Sequence, residues 1–161
     1  MHEDSTGSHV DDSMVDAVLT ASRVLVAIAA RSLAEASEQV TLTQYRSLVV
    51  LASRGPHSVA ALAEAMAVTS PTASRLCERL VRKGLVRRRT DRNDRRQVRL
   101  ALTEAGRRLV DRVTENRRQE IGALLSSIPV QVQHEVVVAL RKLSASSGEV
   151  PEQDWSSGWD L

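Results

Sequence analysis

The sequence contains very few aromatic residues. Two Trp, one Tyr and no Phe make up 2% of the 161 residues, whereas 42% of the chain is hydrophobic and 26% is charged. The chain can therefore bury a core, but that core must be built from Leu, Val and Ala. A platform of aromatic side chains that stacks on single-stranded nucleic acid is not expected.

Residues that carry metal-binding or catalytic chemistry are also scarce. The single cysteine excludes a disulfide within the chain and a metal site made of cysteines alone. The four histidines lack a ligand spacing such as His-x-x-x-His. There is no glycine-rich phosphate loop and no Ser–His–Asp pattern. We therefore expect no metal, no cofactor and no enzymatic activity.

No apolar run approaches the roughly 18 residues that a membrane span needs. The first ten residues are polar and acidic and do not resemble a signal peptide. These features predict a soluble, cytoplasmic protein without a membrane partner.

The charge is distributed unevenly along the chain. The formal net charge is +2, but residues 1–40 carry −5, residues 41–103 carry +9 and residues 104–161 carry −2. A basic segment between two acidic ones is typical of a localised surface for a polyanion. The alternative is a solvated basic face that has no partner.

The spacing of apolar residues predicts a mainly α-helical fold with one small β-hairpin. Two short strands joined by a polar, Arg-rich loop interrupt the helices. Gly84 closes the helix that precedes them. Helices are expected at 11–38, 43–53, 59–66, 70–83, 104–125 and from 129 onward, and strands at 85–89 and 98–102.

Residues 58–103 follow the order helix, short turn, helix, hairpin, which is that of a winged helix-turn-helix. In the second helix, one face is apolar and is expected to pack inward: Ala73, Leu76, Cys77, Leu80 and Val81. The opposite face is basic. By itself this pattern also fits an ordinary amphipathic surface helix, but the adjoining Arg-rich hairpin favours DNA recognition.

The candidate DNA-binding residues fall into two groups. Residues near the start of the second helix are expected to contact base edges in the major groove. The basic residues farther along the helix are expected to contact phosphates. The first group is Ser70, Thr72, Ser74 and Arg75, and the second is Arg79, Arg82 and Lys83. The wing adds Arg89, Arg92, Arg95 and Arg96.

Five segments of the sequence resemble the MarR-type transcriptional regulators. They are 58–66 (SVAALAEAM), 72–80 (TASRLCERL), 83–86 (KGLV), 91–96 (DRNDRR) and 102–106 (LTEAG). The wing segment resembles the family's D-x-x-D-R-R signature, and the last segment resembles the L-T-x-x-G that opens its next helix. The resemblance covers about residues 11–147.

The resemblance implies a homodimeric repressor that binds a palindromic operator. Its helical dimerisation domain would comprise residues 11–40 and 104–147, and its winged helix-turn-helix residues 41–103. Residues 1–10 would form a disordered tail and residues 148–161 an irregular one. Many relatives release DNA on binding a small, often phenolic, effector. A constitutive or metal-responsive regulator and a dimeric protein-interaction module remain as alternatives.

The family pattern also suggests roles within the wing. Arg95 is expected in the minor groove, where narrow A·T-rich segments attract arginine. Arg96 is expected to pair with Glu78 and brace the wing, although Glu78 could instead pair with Arg82 one helical turn away.

Other positions depart from the family or invite a second interpretation. Ala67 stands where relatives usually have glycine, and a left-handed alanine costs roughly 1 kcal/mol. Ser70-Pro71 replaces the usual Pro-Ser.

Cys77 is expected to be a packed core residue rather than a redox sensor. Tyr45 lies on a helix that walls the effector pocket in relatives, and we expect it to be packed.

Overall fold

A computed structural model describes residues 11–37, 39–90 and 97–158. The expected disordered tail at 1–10 and most of the wing loop, residues 91–96, lie outside these ranges. The elements are α1 (Asp12–Ala36), α2 (Leu42–Arg54), α3 (Val59–Ala65), α4 (Ser70–Arg82), β1 (Val86–Thr90), β2 (Val98–Leu102), α5 (Glu104–Leu125), α6 (Val130–Ser146) and a C-terminal 3-10 helix (Glu152–Gly158). The expected fold class, mainly α with a small β-hairpin, is confirmed.

Short polar side chains define where the helices begin. The hydroxyl groups of Ser58 and Thr103 accept hydrogen bonds from backbone N–H groups three residues later, at 3.1 Å in both cases. Thr41 and Gln44 form a reciprocal capping box at the start of α2. These caps satisfy N–H groups that a helix leaves unpaired.

The core is aliphatic, as expected, and is centred on α2. Side chains from α3, α4, the hairpin and the first half of α5 converge on it. The largest fully buried apolar side chains are Leu48, Leu62, Leu80, Leu100, Val50, Val110 and Val113. Tyr45 is also buried in this cluster, so the expectation that it is packed is confirmed.

The long terminal helices leave a large apolar surface uncovered within the chain. α6 has no buried residue at all. The exposed large apolar side chains of α1 and α6 include Met14, Val15, Val18, Leu19, Val26, Val130, Val132, Leu140 and Leu143. So large an exposed apolar surface is typical of an interaction site.

The sequence-based expectation about membrane-length segments was wrong for α1. This 25-residue helix is long and apolar enough to cross a membrane by length and composition, with a mean hydropathy of 1.6 over 18 residues. Ala, Ser and Thr interrupt its apolar runs. The helix nevertheless contains few charged residues, so its mean hydropathy stays high. Only 6% of that window is buried within the chain.

The expectation of an irregular C-terminal tail also needs correction. Residues Glu152–Gly158 form a 3-10 helix, and Trp155 packs against the core. The indole Nε1 of Trp155 donates a hydrogen bond to the Val150 carbonyl oxygen at 3.1 Å. The ring is amphipathic, so it gains apolar contacts while its polar atom stays bonded.

Candidate nucleic-acid interface

A tight turn joins α3 to α4 and sets the direction of α4. Ala67 in this turn has φ +52°, the one positive φ of a non-glycine residue within the described ranges. The backbone N–H of Val68 donates to the Ala63 carbonyl oxygen at 3.0 Å, which closes the end of α3. Ala67 therefore adopts the left-handed conformation in spite of its β-carbon, and the substitution for the family's glycine does not remove it.

The inner face of α4 anchors the helix in the core. Ala73, Leu76, Cys77 and Leu80 are buried, and Val81 is half-buried. This agrees with the inward face predicted from helical spacing. Because these side chains fix the rotation of α4 about its axis, they also determine which residues face outward.

The outer face of α4 presents a row of arginines. Arg75, Arg79 and Arg82 are all exposed, and their spacing of four and three residues places them on one side of the helix. The structure therefore brings together three of the predicted cations. Such a row can contact phosphates and, from its N-terminal end, base edges.

Polar side chains occupy the N-terminal turn of α4. Thr69 caps the helix without a side-chain hydrogen bond to the backbone, and its Oγ1 lies 2.9 Å from Oγ1 of Thr72. Ser70 and Thr72 are exposed, whereas Ser74 is half-buried. The hydroxyl groups of Ser70 and Thr72 are thus more accessible than that of Ser74.

Lys83 differs from the other cations of α4. Its Nζ donates to the Gln39 carbonyl oxygen and, at 2.8 Å, to Oε1 of Gln44 in α2. The ammonium group therefore ties the C-terminal end of α4 to the start of α2. The contacting residues are far apart in the sequence, so the spacing of residues could not indicate this contact.

The hairpin follows α4 directly and adds further arginines. β1 and β2 are antiparallel, with Val86 opposite Leu102 and Arg89 opposite Arg99. His57 forms a short bridge to Leu100 on the other side of β2, with hydrogen bonds of 2.7 and 3.1 Å. These pairings hold the stem of the wing against the helical core.

Two arginines of β1 were missed as candidates from the sequence. Arg87 and Arg88 are exposed beside the predicted Arg89. The register places Arg88 on the face of Leu100 and Arg87 on the opposite face. The run of three arginines at 87–89, combined with strand alternation, was the signal that could have identified them.

The predicted wing-tip residues Arg92, Arg95 and Arg96 lie outside the described residues. Arg95 in the minor groove and the Arg96–Glu78 brace therefore stay predictions. Glu78 itself is exposed on α4.

Burial governs the chemistry of Cys77. The thiol is 1% exposed, and burial raises its pKa, against a smaller opposing effect of the nearby positive charge of Arg88. A higher pKa leaves less of the reactive thiolate at neutral pH. This environment fits the packed core residue that the sequence predicted.

Two features near the helix junctions could receive a small molecule. A cavity of about 290 Å³ lies between the end of α1, Lys83 and the first half of α5, and its cationic walls are Lys83, Arg108 and Arg112. Separately, burial raises the pKa of the Tyr45 hydroxyl, against smaller opposing effects of hydrogen bonding to Thr114 and of the nearby Arg117. No three His, Cys, Asp or Glu side chains of the described ranges are grouped to hold a metal ion.

Comparison with known proteins agrees with this geometry. Residues 40–98 match the model of the MarR family. The transcriptional repressor NicR of Pseudomonas putida is 34% identical over 105 residues, which span 65% of this chain and 66% of that relative's length. The match to the family model includes the helix-turn-helix described above.

Two solved structures show that the similarity extends over nearly the whole fold. RV1404 from Mycobacterium tuberculosis is 38% identical, with a TM-score of 0.83 over 91% of this chain and 99% of its own. A MarR family protein from Bacillus stearothermophilus is 25% identical, with a TM-score of 0.72 over 88% of this chain and 100% of its own.

Proposed function

The chain belongs to the MarR family of transcriptional regulators, and from this premise we propose that it is a homodimeric repressor of a palindromic operator. The observation that carries the proposal is the exposed row of Arg75, Arg79 and Arg82 on α4, beside an Arg-rich hairpin. The similar protein NicR is named as a repressor, which supports repression rather than activation as the role of this protein. Because the similar proteins are bacterial, we further propose that this regulator acts in the cytoplasm, where bacterial DNA lies.

The two groups of predicted residues divide the work of DNA binding. Arg79, Arg82 and Arg89 bind phosphates and supply most of the affinity, which falls with salt. Ser70, Thr72, Ser74 and Arg75 read base edges in the major groove. Arg92, Arg95 and Arg96 at the tip of the wing complete the contact, with Arg95 in the minor groove. Lys83 binds a phosphate only if it leaves Gln44.

The dimer is proposed from the uncovered apolar surface of α1 and α6. A second copy of the chain is a partner that covers both helices by symmetry. Residues 11–40 and 104–147 then form the dimerisation domain, and residues 41–103 form the DNA-binding domain. Two-fold symmetry places the two α4 helices on half-sites about one helical turn apart.

A small aromatic acid or phenol is proposed as an effector that releases the DNA. The cavity beside Lys83 is lined mainly by polar surface, with smaller apolar areas from Val40, Leu85 and Leu109, and it has the volume for a single-ring compound. Arg108 and Arg112 would bind a carboxylate or phenolate. Because Lys83 caps α4, an occupant of the cavity would contact the end of the recognition helix.

Selection of duplexes from a random library by the full-length protein tests this function. We expect enrichment of one palindrome, and sedimentation of the complex should give two protomers per duplex. Binding without sequence preference at matched salt would instead support a protein-interaction module.

A thermal-shift screen with aromatic acids and divalent metal ions separates an effector-released repressor from a constitutive or metal-responsive one.

A further inference from the structure

The C-terminal segment connects two parts of the fold that are otherwise far apart. α6 buries none of its residues within the chain, yet the residues after it return to α2 and α5. We call residues 148–155 the strap. Through non-covalent contacts, the strap links α6 to the DNA-binding domain a second time, in addition to the covalent connection through α5.

Paired charges anchor the first half of the strap on α2. The two guanidinium nitrogens Nη1 and Nη2 of Arg46 donate to the two carboxylate oxygens of Glu149 at 2.7 and 2.6 Å. Arg54, on the same helix, donates to the Gly148 carbonyl oxygen at 2.9 Å. A bidentate pair of this kind fixes orientation as well as distance.

The second half of the strap is anchored on α5 and on the core. Arg118 of α5 donates to Glu152 at 3.2 Å. Trp155 packs, half-buried, against the aliphatic core, and its indole hydrogen bond to Val150 closes the turn of the strap. Contacts at both ends therefore restrict its movement relative to α2.

α2, on which the strap is anchored, also contacts the end of α4. Gln44, which is buried at the first turn of α2, accepts a hydrogen bond from Lys83 at the end of α4. Its side chain also closes the capping box with Thr41. Glu149 therefore connects the end of α6 to Arg46 on α2, and Gln44, on the same helix, connects α2 to the recognition helix.

We propose that Arg46 and Glu149 are positioning residues, which fix the recognition helix relative to α6 and so determine the half-site spacing that the protein accepts. The inference rests on the proposed homodimer, in which α6 belongs to the shared interface. Moving a half-site by one base pair shifts it about 3.4 Å along the DNA and rotates it by roughly 35°. A dimer with anchored DNA-binding domains resists that change, whereas a loosened one adapts to it.

Three variants of the full chain separate positioning from folding. Glu149→Gln removes the charge of the bidentate pair with little change in size. The double variant Arg46→Glu/Glu149→Arg exchanges the two charges and restores an attractive pair. Glu104→Gln is the matched control, because it removes the exposed Arg108–Glu104 pair, whose N–O distance is 3.2 Å, on α5.

The readout is the affinity for four duplexes, measured by fluorescence anisotropy. One carries the palindrome selected by the wild-type protein, two have one base pair inserted or removed at its centre, and one has a single half-site. Glu149→Gln should reduce the preference for the selected spacing by roughly three- to tenfold, with unchanged half-site affinity. The charge exchange should restore the preference, and Glu104→Gln should leave it as in wild type.

Two results would overturn the inference while the proposed function stands. One is an unchanged spacing preference in Glu149→Gln, and the other is an equal loss of affinity for the half-site and the full palindrome. A wild-type protein that shows no spacing preference would overturn the inference before any variant is made, and equal wild-type affinity for the single half-site and the palindrome would overturn the proposed homodimer as well.

Discussion

Gly106 lies so close to Leu85 that a β-carbon added to it would be 2.2 Å from the Leu85 carbonyl oxygen. The same carbonyl oxygen accepts a hydrogen bond from the backbone N–H of Thr103 at 3.0 Å. The first turn of α5 is thereby held against the segment that links α4 to the hairpin. The L-T-x-x-G motif thus needs a glycine at this position, because only a residue without a β-carbon allows the backbone of α5 to approach the Leu85 carbonyl group this closely.

We expect Gly106→Ala to destabilise the protein strongly. A backbone atom cannot move aside as a flexible side chain can, so α5 or the wing must shift, at a cost of about 2–4 kcal/mol in unfolding free energy. Gly122→Ala, in the same helix and with no atom within 4 Å of the added carbon, is the control. It should raise stability by up to about 1 kcal/mol. Similar denaturation midpoints for the two variants would contradict the close approach.

Ala67→Gly should stabilise the protein. Ala67 has φ +52°, a conformation that glycine adopts without the steric cost of a β-carbon, so a gain of about 0.5–1 kcal/mol is expected in urea unfolding. Ala60→Gly, at an exposed site of the neighbouring helix α3, should cost a similar amount. Losses of equal size in both variants would show that the turn carries no strain.

The strap should detach in acid. Hydrogen bonding to Arg46 lowers the pKa of Glu149, with a further contribution from the charge of Arg54. The carboxylate therefore stabilises the fold fully above its ordinary unfolded pKa of about 4.3, and this stabilisation is lost as the pH falls through the lower folded pKa. At neutral pH the strap stays docked.

The emission of Trp155 can follow this step in a Trp159→Phe background. The wild-type spectrum should stay constant at neutral and mildly acidic pH and shift to the red only below the ordinary titration range of a glutamate. Glu149→Gln should lose most of this transition and show only a partial red shift at neutral pH, because Arg54, Arg118 and Trp155 still hold the strap. An identical acid transition in both proteins would mean that Glu149 does not hold the strap.

Cys77 should be protected from thiol reagents in the folded protein. Burial raises its pKa and blocks access, so iodoacetamide should modify it only after unfolding in guanidinium chloride. An exposed thiol on α3, made by Ala60→Cys in a Cys77→Ala background, should react rapidly under the same conditions. Fast modification of native Cys77 with loss of DNA binding would revive the redox-sensor hypothesis.

The parts of the fold that could be predicted from the sequence are those with a local cause. Ser58 and Thr103 marked helix starts because a hydroxyl group there bonds to the next turn. The inward face of α4 followed from helical spacing, which positions Ala73 and Leu80 together. Gly84, expected as the stop of α4, has φ +68°.

The parts that could not be predicted depend on contacts between distant residues. Arg46 and Glu149 are 103 positions apart, and nothing in either segment indicates the other. Lys83 belongs to the basic run of α4 in sequence, but the fold turns its ammonium group toward Gln44. Such pairings arise only when the packing of whole helices is known.

We propose a division of roles on α4, in which Arg75 reads base edges of the DNA while Arg79 and Arg82 bind its phosphates. Its most direct test is the affinity of wild type, Arg75→Ala and Arg82→Ala for the selected palindrome and a scrambled duplex over a range of salt concentrations. Arg75→Ala should lose about 1–3 kcal/mol of preference for the palindrome. Arg82→Ala should weaken binding to both duplexes equally and reduce the salt slope by about 1. An equal loss on both duplexes in Arg75→Ala would contradict the claim.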